Sequence, residues 1–206
     1  MNPSSQTALP LEQPTLAPGL AVWQLSVEQY HEMIRTGILA DGDPIELFNG
    51  WLVTKMTKTP RHRLVTGLVR SALERIIPPG WYVDSQQPIT LAASEPEPDG
   101  AVVGGQRRDY ADRHPGPADV GLVVEVADSN LDRDREFKRT IYAQAGVPCY
   151  SVVNLIDDRV EVYSLCRPAS GDASQYERRD FTAVDEVPVV LGGQEIGHVA
   201  VREILP

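Results

Sequence analysis

The stretch "DVGLVVEVADSN", residues 119–130, places one acid inside an almost unbroken apolar run. Val120, Leu122, Val123, Val124 and Val126 read as a strand buried on both faces, as in a sheet covered on each side. Glu125 interrupts that run. A lone carboxylate taken out of water either keeps its proton or is matched by positive charge.

The segment that follows, "SNLDRDREFKRTIYAQAGVP" (residues 129–148), reads as a helix. Ser129 with Asp132 resembles a capping box, and Gly146 and Pro148 end it. At about 100° per residue, Phe137, Ile141 and Ala145 share the inward side. Lys138 falls at the edge of that stripe, between Ile141 and Tyr142, while Arg135, Glu136 and Arg139 point outward. A lysine beside the core-facing stripe thus directly follows the strand that bears Glu125. Opposite charges can meet there.

Working outward, "SVEQYHEMIRTGIL" (26–39) is a short helix with Ser26 as N-cap and Gly37 at its end. "DPIELFNGWLVTKM" (43–56) alternates around Asn49-Gly50, a hairpin-turn pair. "PRHRLVTGLVRSALERIIPPG" (60–80) is amphipathic, with Val65, Val69, Ala72, Leu73 and Ile76 on one face. "WYVDSQQPITL" (81–91) and "PDGAVVGG" (98–105) read as successive strands. "CYSVVNL" (149–155) and "RVEVYSL" (159–165) form two more, joined through Asp157-Asp158. Further short strands are expected after a Ser/Gly/Asp loop near residue 170. "GQRRD" and "ERRD" mix signs and read as solvent-facing turns, and Asp128 and Asp134 as residues serving a helix start. The order of elements predicts an α/β (α+β) fold, one mixed sheet with helices packed against it.

The 206 residues suffice for one sizeable domain, expected over 21–206. Residues 1–20 carry Pro3, Pro10, Pro14 and Pro18 and a single charge, Glu12, and read as a flexible arm. They show no basic stretch followed by an apolar one, so no secretory signal is expected. No apolar run reaches the roughly 18 residues of a membrane span. Two cysteines, Cys149 and Cys166, suit a reducing cytoplasm. A passive binder of nucleic-acid backbone normally shows a basic surplus, and this chain, with a net charge of −10, does not. A polyanion would need a local positive patch, a bound cation, or both.

Two further acids lie at the edges of apolar sequence. Asp99 follows Pro98 at the start of a strand, and Glu46 stands between Ile45 and Leu47 in the hairpin. Carboxylates converging from separate elements repel, and a divalent cation resolves the repulsion. Hard oxygen donors suit Mg2+ or Mn2+. Such an ion lowers the pKa of bound water, and a lysine orients that water or stabilises developing charge. The set fits phosphodiester hydrolysis.

Pro98-Asp99 followed by Glu125 in an apolar strand resembles the PD-(D/E)XK nuclease superfamily. The usual lysine two residues after the acid is absent, since position 127 is Ala127. The longer run "DYADRHPGPADVGLVVEVADSNLDRDREFKRTIYAQAGVPCYSVVNL" resembles the Uma-type restriction endonucleases, over about residues 26–165. That resemblance implies a restriction-endonuclease-like fold, with the lysine moved onto the following helix and Glu46, Asp99, Glu125 and Lys138 as active-site positions. Asp99 and Glu125 would ligate Mg2+ or Mn2+, and DNA would be the substrate. Asn49, Trp51 and Asn154 depart from the family's pattern without touching that set.

Blander readings stand beside these. Glu125 and Lys138 could be a structural ion pair, Asp99 a turn residue in Pro-Asp-Gly, and Glu46 a hairpin flank. The acid-free "KMTKTPRHR" (55–63) offers Lys58, Arg61 and His62 as phosphate contacts ahead of a helix N-terminus, or is an ordinary basic loop. His62 falls on the apolar side of that helix and is either catalytic or a buried, hydrogen-bonded histidine. A site role for Gln87 is a weaker option. At the level of the protein, a DNA endonuclease competes with a non-catalytic nucleic-acid- or protein-binding module on the same fold. A third option keeps the metal site for RNA or a small phosphodiester. A homodimer is expected, because two antiparallel strands are related by a two-fold axis.

Overall fold

The computed structural model describes residues 22–40, 42–129, 131–166 and 175–206. The expected N-terminal arm, the loop near residue 170 and the middle of the Ser129–Asp132 cap fall outside them.

A six-stranded sheet runs in the order β3-β4-β5-β6-β7-β8, formed by β3 (Trp81–Asp84), β4 (Gly100–Gly104), β5 (Val120–Ala127), β6 (Cys149–Asn154), β7 (Arg159–Cys166) and β8 (Gln175–Thr182). All neighbours are antiparallel except β5 and β6. A parallel pair needs a crossover, and the helical segment from Arg133 to Ala145 supplies it. Every residue of β5 is buried, as its apolar run demands.

The two faces of β5 meet different layers. Leu122, Val124 and Val126 pack with Val65, Val69, Ala72 and Leu73 of α2 (Pro60–Glu74). The hairpin β9 (Glu186–Leu191) and β10 (Gln194–Ala200) and α4 (Val201–Ile204) cover the same side. Val123 and Ala127 face the other side, with Ile141 and Tyr142 of α3 (Arg139–Ala145) and Tyr150 of β6. Gly121 marks where β9 and β3 close in: a Cβ there would stand 2.7 Å from Leu191 Cδ2 and 2.9 Å from Trp81 Cζ3. A third cluster joins Val27 and Tyr30 of α1 (Val27–Arg35) to Leu47 of β1 (Ile45–Phe48). The β1–β2 turn (β2, Trp51–Thr54) has Asn49 and Gly50 at φ 47° and 78°, the doubly positive geometry that Asn-Gly favours. Ser26 and Gln29 close a full capping box on α1.

Three expectations are corrected. The strand expected over 81–91 ends at Asp84, because Pro88, Pro96 and Pro98 remove ladder donors; residues 86, 89 and 91 instead donate to carbonyls of 98, 96 and 94. "ERRD" is not a turn but part of edge strand β8, where Arg178 and Arg159 pair with Asp180. Residues Arg133–Lys138 form a π turn, in which the Arg139 N–H donates to the Asp134 carbonyl five residues back. Each residue of such a turn advances through a smaller angle than on an α-helical wheel. Arg135, expected to point outward, therefore turns in to Glu161, a wholly buried carboxylate also held by Asn154 at 2.9 Å and Tyr163 at 2.8 Å.

Breaking a buried ion pair from one side costs about 3–5 kcal/mol. Arg178 still lies 3.4 Å from Glu161, so Arg135→Met is expected to lose an amount toward the lower end of that range. Urea unfolding near neutral pH measures it.

Candidate active site

One cleft, with about 80 Å³ of room for water-sized occupants, opens at the end of the sheet where β4 begins and β5 finishes. It is lined by Glu46, Asp99, Glu125, Asp134 and Lys138, and by the residues leading into α2. The antiparallel register that sets Gly100 against Val124 brings Asp99 opposite Glu125. The two acids, separated by 26 positions in the sequence, both line the cleft at this end of the sheet.

Each member is fixed by a named partner. Asp99 Oδ2 accepts from the Val126 N–H at 2.9 Å and lies 3.0 Å from His62 Nε2. Glu125 Oε2 lies 2.9 Å from Lys138 Nζ, and Glu125 Oε1 accepts from the Tyr142 hydroxyl at 3.2 Å. Lys138 also reaches Asp134 Oδ1 at 3.4 Å. Glu46 Oε1 accepts from the Glu97 N–H at 2.8 Å. Glu46, Asp99, Glu125, Asp134 and Lys138 are all buried.

Four buried carboxylates around one buried lysine divide the protons unevenly. Burial pushes the Glu125 carboxyl up, and the charges of Asp99 and Asp134 add to that against the pull of Lys138, bringing it to about 8. Asp99 is buried too, but His62, the Val126 N–H and Lys138 outweigh the burial and hold it below the ordinary aspartate range. Burial alone would lower Lys138; Glu125, Asp134 and Glu46 reverse that and keep it protonated. Two adjacent carboxyls with opposite shifts are the arrangement that separates acid and base roles.

The sequence-expected residues sort cleanly. Glu46, Asp99, Glu125 and Lys138 line the cleft together, as do His62 and the exposed Lys58. Arg61 does not: its guanidinium is tied to the Leu155 carbonyl at 2.8 Å and to Asp158 at 3.0 Å. Gln87 is exposed and away from the cleft. Asp134, expected to serve the helix start, instead turns into the cleft. Tyr142 was equally unassigned. The π turn explains the first, and only a contact to Glu125 reveals the second. Thr59 caps α2 by accepting from the His62 N–H, and its hydroxyl donates to Asp128 Oδ2 at 2.5 Å. The positive end of a 15-residue helix therefore opens at the mouth of the cleft.

The donors fit a hard divalent cation. Carboxylates outnumber the buried ammonium, and Mg2+ asks for only one or two protein carboxylates besides water and phosphate oxygens. Among the described residues, no three of these acids bring ligand atoms within 4.8 Å of one another. Asp99 and Glu125 both line the cleft.

The family profile that matches residues 27–197 is Uma2, described as "Putative restriction endonuclease", and the chain belongs to that family. The fold is similar to the crystal structure, at 1.96 Å resolution, of a "putative nuclease belonging to DUF820" from Anabaena variabilis ATCC 29413. The TM-score is 0.64 at 13% identity, over 87% of this chain and 97% of that one. A search of curated proteins found no match. Among the described residues, no helix is long and apolar enough to cross a membrane.

Proposed function

We propose that the protein is a Mg2+- or Mn2+-dependent endonuclease that hydrolyses phosphodiester bonds of DNA. The observation that carries the reading is the single cleft lined by Asp99, Glu125 and Lys138, with the Lys138 ammonium 2.9 Å from Glu125. Asp99 and Glu125 would hold the cation, with Glu46 assisting. When bound, a divalent ion supplies charge for a phosphate oxygen and acidifies a water.

The chain's own residues do the rest. His62 and the Val126 N–H keep Asp99 ionised and aimed into the cleft. Tyr142 and Lys138 fix the two oxygens of Glu125. Lys138, kept charged by three carboxylates, is the donor that steadies a nucleophilic water or the charge growing on phosphate. The N-terminus of α2 and Lys58 offer the positive rim against a phosphate group. They answer how a chain of net charge −10 can approach a polyanion.

Supercoiled plasmid with millimolar Mg2+ tests the reading. Nicked or linear product is expected from the wild type and none from Asp99→Asn. Equal residual cleavage by both proteins overturns it. A homodimer, in which two clefts address two strands, belongs to the same proposal, and a monomeric mass in light scattering contradicts it.

A further inference from the structure

We propose that His31, Glu95 and His114 form a second metal site, for a transition-metal ion of the Zn2+ class, apart from the acid cleft. Their ligand atoms lie within 4.8 Å of one another, and none of the three lines the cleft. Glu95 is buried on the strap before β4, where its N–H donates to the Leu47 carbonyl at 2.7 Å. His31, on α1, places Nε2 2.6 Å from Glu95 Oε2. The Thr90 hydroxyl donates to the same oxygen at 2.7 Å.

A histidine beside a glutamate is by itself an ordinary ion pair. The third donor is what an ion pair does not require. His114 arrives from a distant loop, its ring 6.1 Å from that of His31 and tilted by 65°. The loop is held on both flanks: the Thr90 N–H donates to the Pro115 carbonyl at 2.9 Å, and Arg113 pairs with Asp119 at 2.7 Å. Two imidazoles and one carboxylate, supplied by three separate segments, form a mixed nitrogen and oxygen set. Such a set suits Zn2+ and its borderline neighbours, whereas Mg2+ prefers oxygen alone.

The geometry leaves a fourth position open. His31 is 43% exposed along its side chain and His114 is exposed, so water or a ligand can complete a tetrahedron. Bonds of about 2.0–2.2 Å require donors roughly 3.3 Å apart, so the imidazoles close by small rotations around a fixed Glu95. Thr90, half-buried, is the partner that orients a ligating carboxylate. A bound ion would clamp α1 and the 111–116 loop onto the strap that carries Glu95 and Glu97.

Zn2+ alone, titrated into the full chain against a chromophoric chelator in excess Mg2+, tests the proposal. One equivalent is expected to bind and to raise the melting temperature, because the ion binds only the folded arrangement. Co2+ in its place is expected to give the intense visible absorption of a tetrahedral site. His114→Ala, an exposed position that leaves the core untouched, and His31→Ala are each expected to weaken binding by 10-fold or more and to abolish the thermal shift, as metal-site losses of about 10–100-fold suggest. Glu125→Gln is expected to leave Zn2+ binding unchanged. Absence of binding at micromolar Zn2+, binding indifferent to His114→Ala, or loss only in Glu125→Gln overturns it.

Discussion

Glu125→Gln is expected to lower Mg2+-dependent cleavage by at least about 10³-fold, the several kcal/mol that a correctly held Lewis acid contributes. It should do so without unfolding the protein. Glutamine keeps the shape and can still accept from Tyr142. The stability comparison has a sign set by burial. Glu125 has its folded pKa raised from the ordinary 4.5 to about 8. A raised acid contributes stability below its unfolded pKa, and that contribution is lost as pH climbs through the folded one. Near about pH 4 the carboxyl is protonated in the folded protein and largely so in the unfolded chain, and it resembles the amide, so the two proteins should unfold alike. Near about pH 9 the wild type carries an additional buried charge, and Glu125→Gln should be more stable by roughly 1–3 kcal/mol. Urea unfolding at both pH values decides it. A variant less stable than wild type at the higher pH would show that Glu125 serves chiefly as a structural ion pair. Activity of the wild type should likewise rise toward pH 8, as this carboxyl loses its proton.

Lys138→Met removes the one ammonium buried among Glu125, Asp134 and Glu46. The expected loss of stability is about 3–5 kcal/mol, the cost of stripping a buried pair from one side. The loss should be greater at alkaline pH. At lower pH Glu125 can take a proton and shed its charge; above its pKa it cannot. Millimolar Mg2+ should restore part of the stability, because a cation bound by the folded state shifts the equilibrium toward it. Cleavage should remain low in the presence of that Mg2+, separating the charge balance that Lys138 provides from its part in the chemistry. Denaturant titrations with and without Mg2+, alongside the plasmid assay, read both effects. Full activity in a stable Lys138→Met protein would remove the lysine from the mechanism.

Much of this was legible in the residues. The apolar run around Glu125 and the Asn49-Gly50 turn depend on local chemistry, and each stands where the pattern put it. The cleft was legible in part. Glu46, Asp99, Glu125 and Lys138 carry both the resemblance and the buried charge, so two lines of reasoning met on them. Asp134 escaped because a wheel of regular pitch cannot represent a π turn. Arg61 was misassigned because a basic loop reads the same whether its arginine awaits phosphate or already holds the Leu155 carbonyl. Tyr142 looked like any core aromatic until its hydroxyl had an acid to face. The His31, Glu95 and His114 set joins three segments by tertiary contact alone, and no spacing along the chain announces it.

The crossover between β5 and β6 also bears on the order in which the protein assembles. Glu125 sits on the first of these strands and Lys138 only 13 residues on, in the connection, whereas seating β6 beside β5 sets Val123 against Tyr150 and closes a longer loop. Loop closure takes its entropy before contacts return anything, which makes such pairings late events. The contact between Glu125 and Lys138 thus needs only nearby chain, and β6, whose Val152 pairs with Glu125, closes the sheet around that contact afterwards.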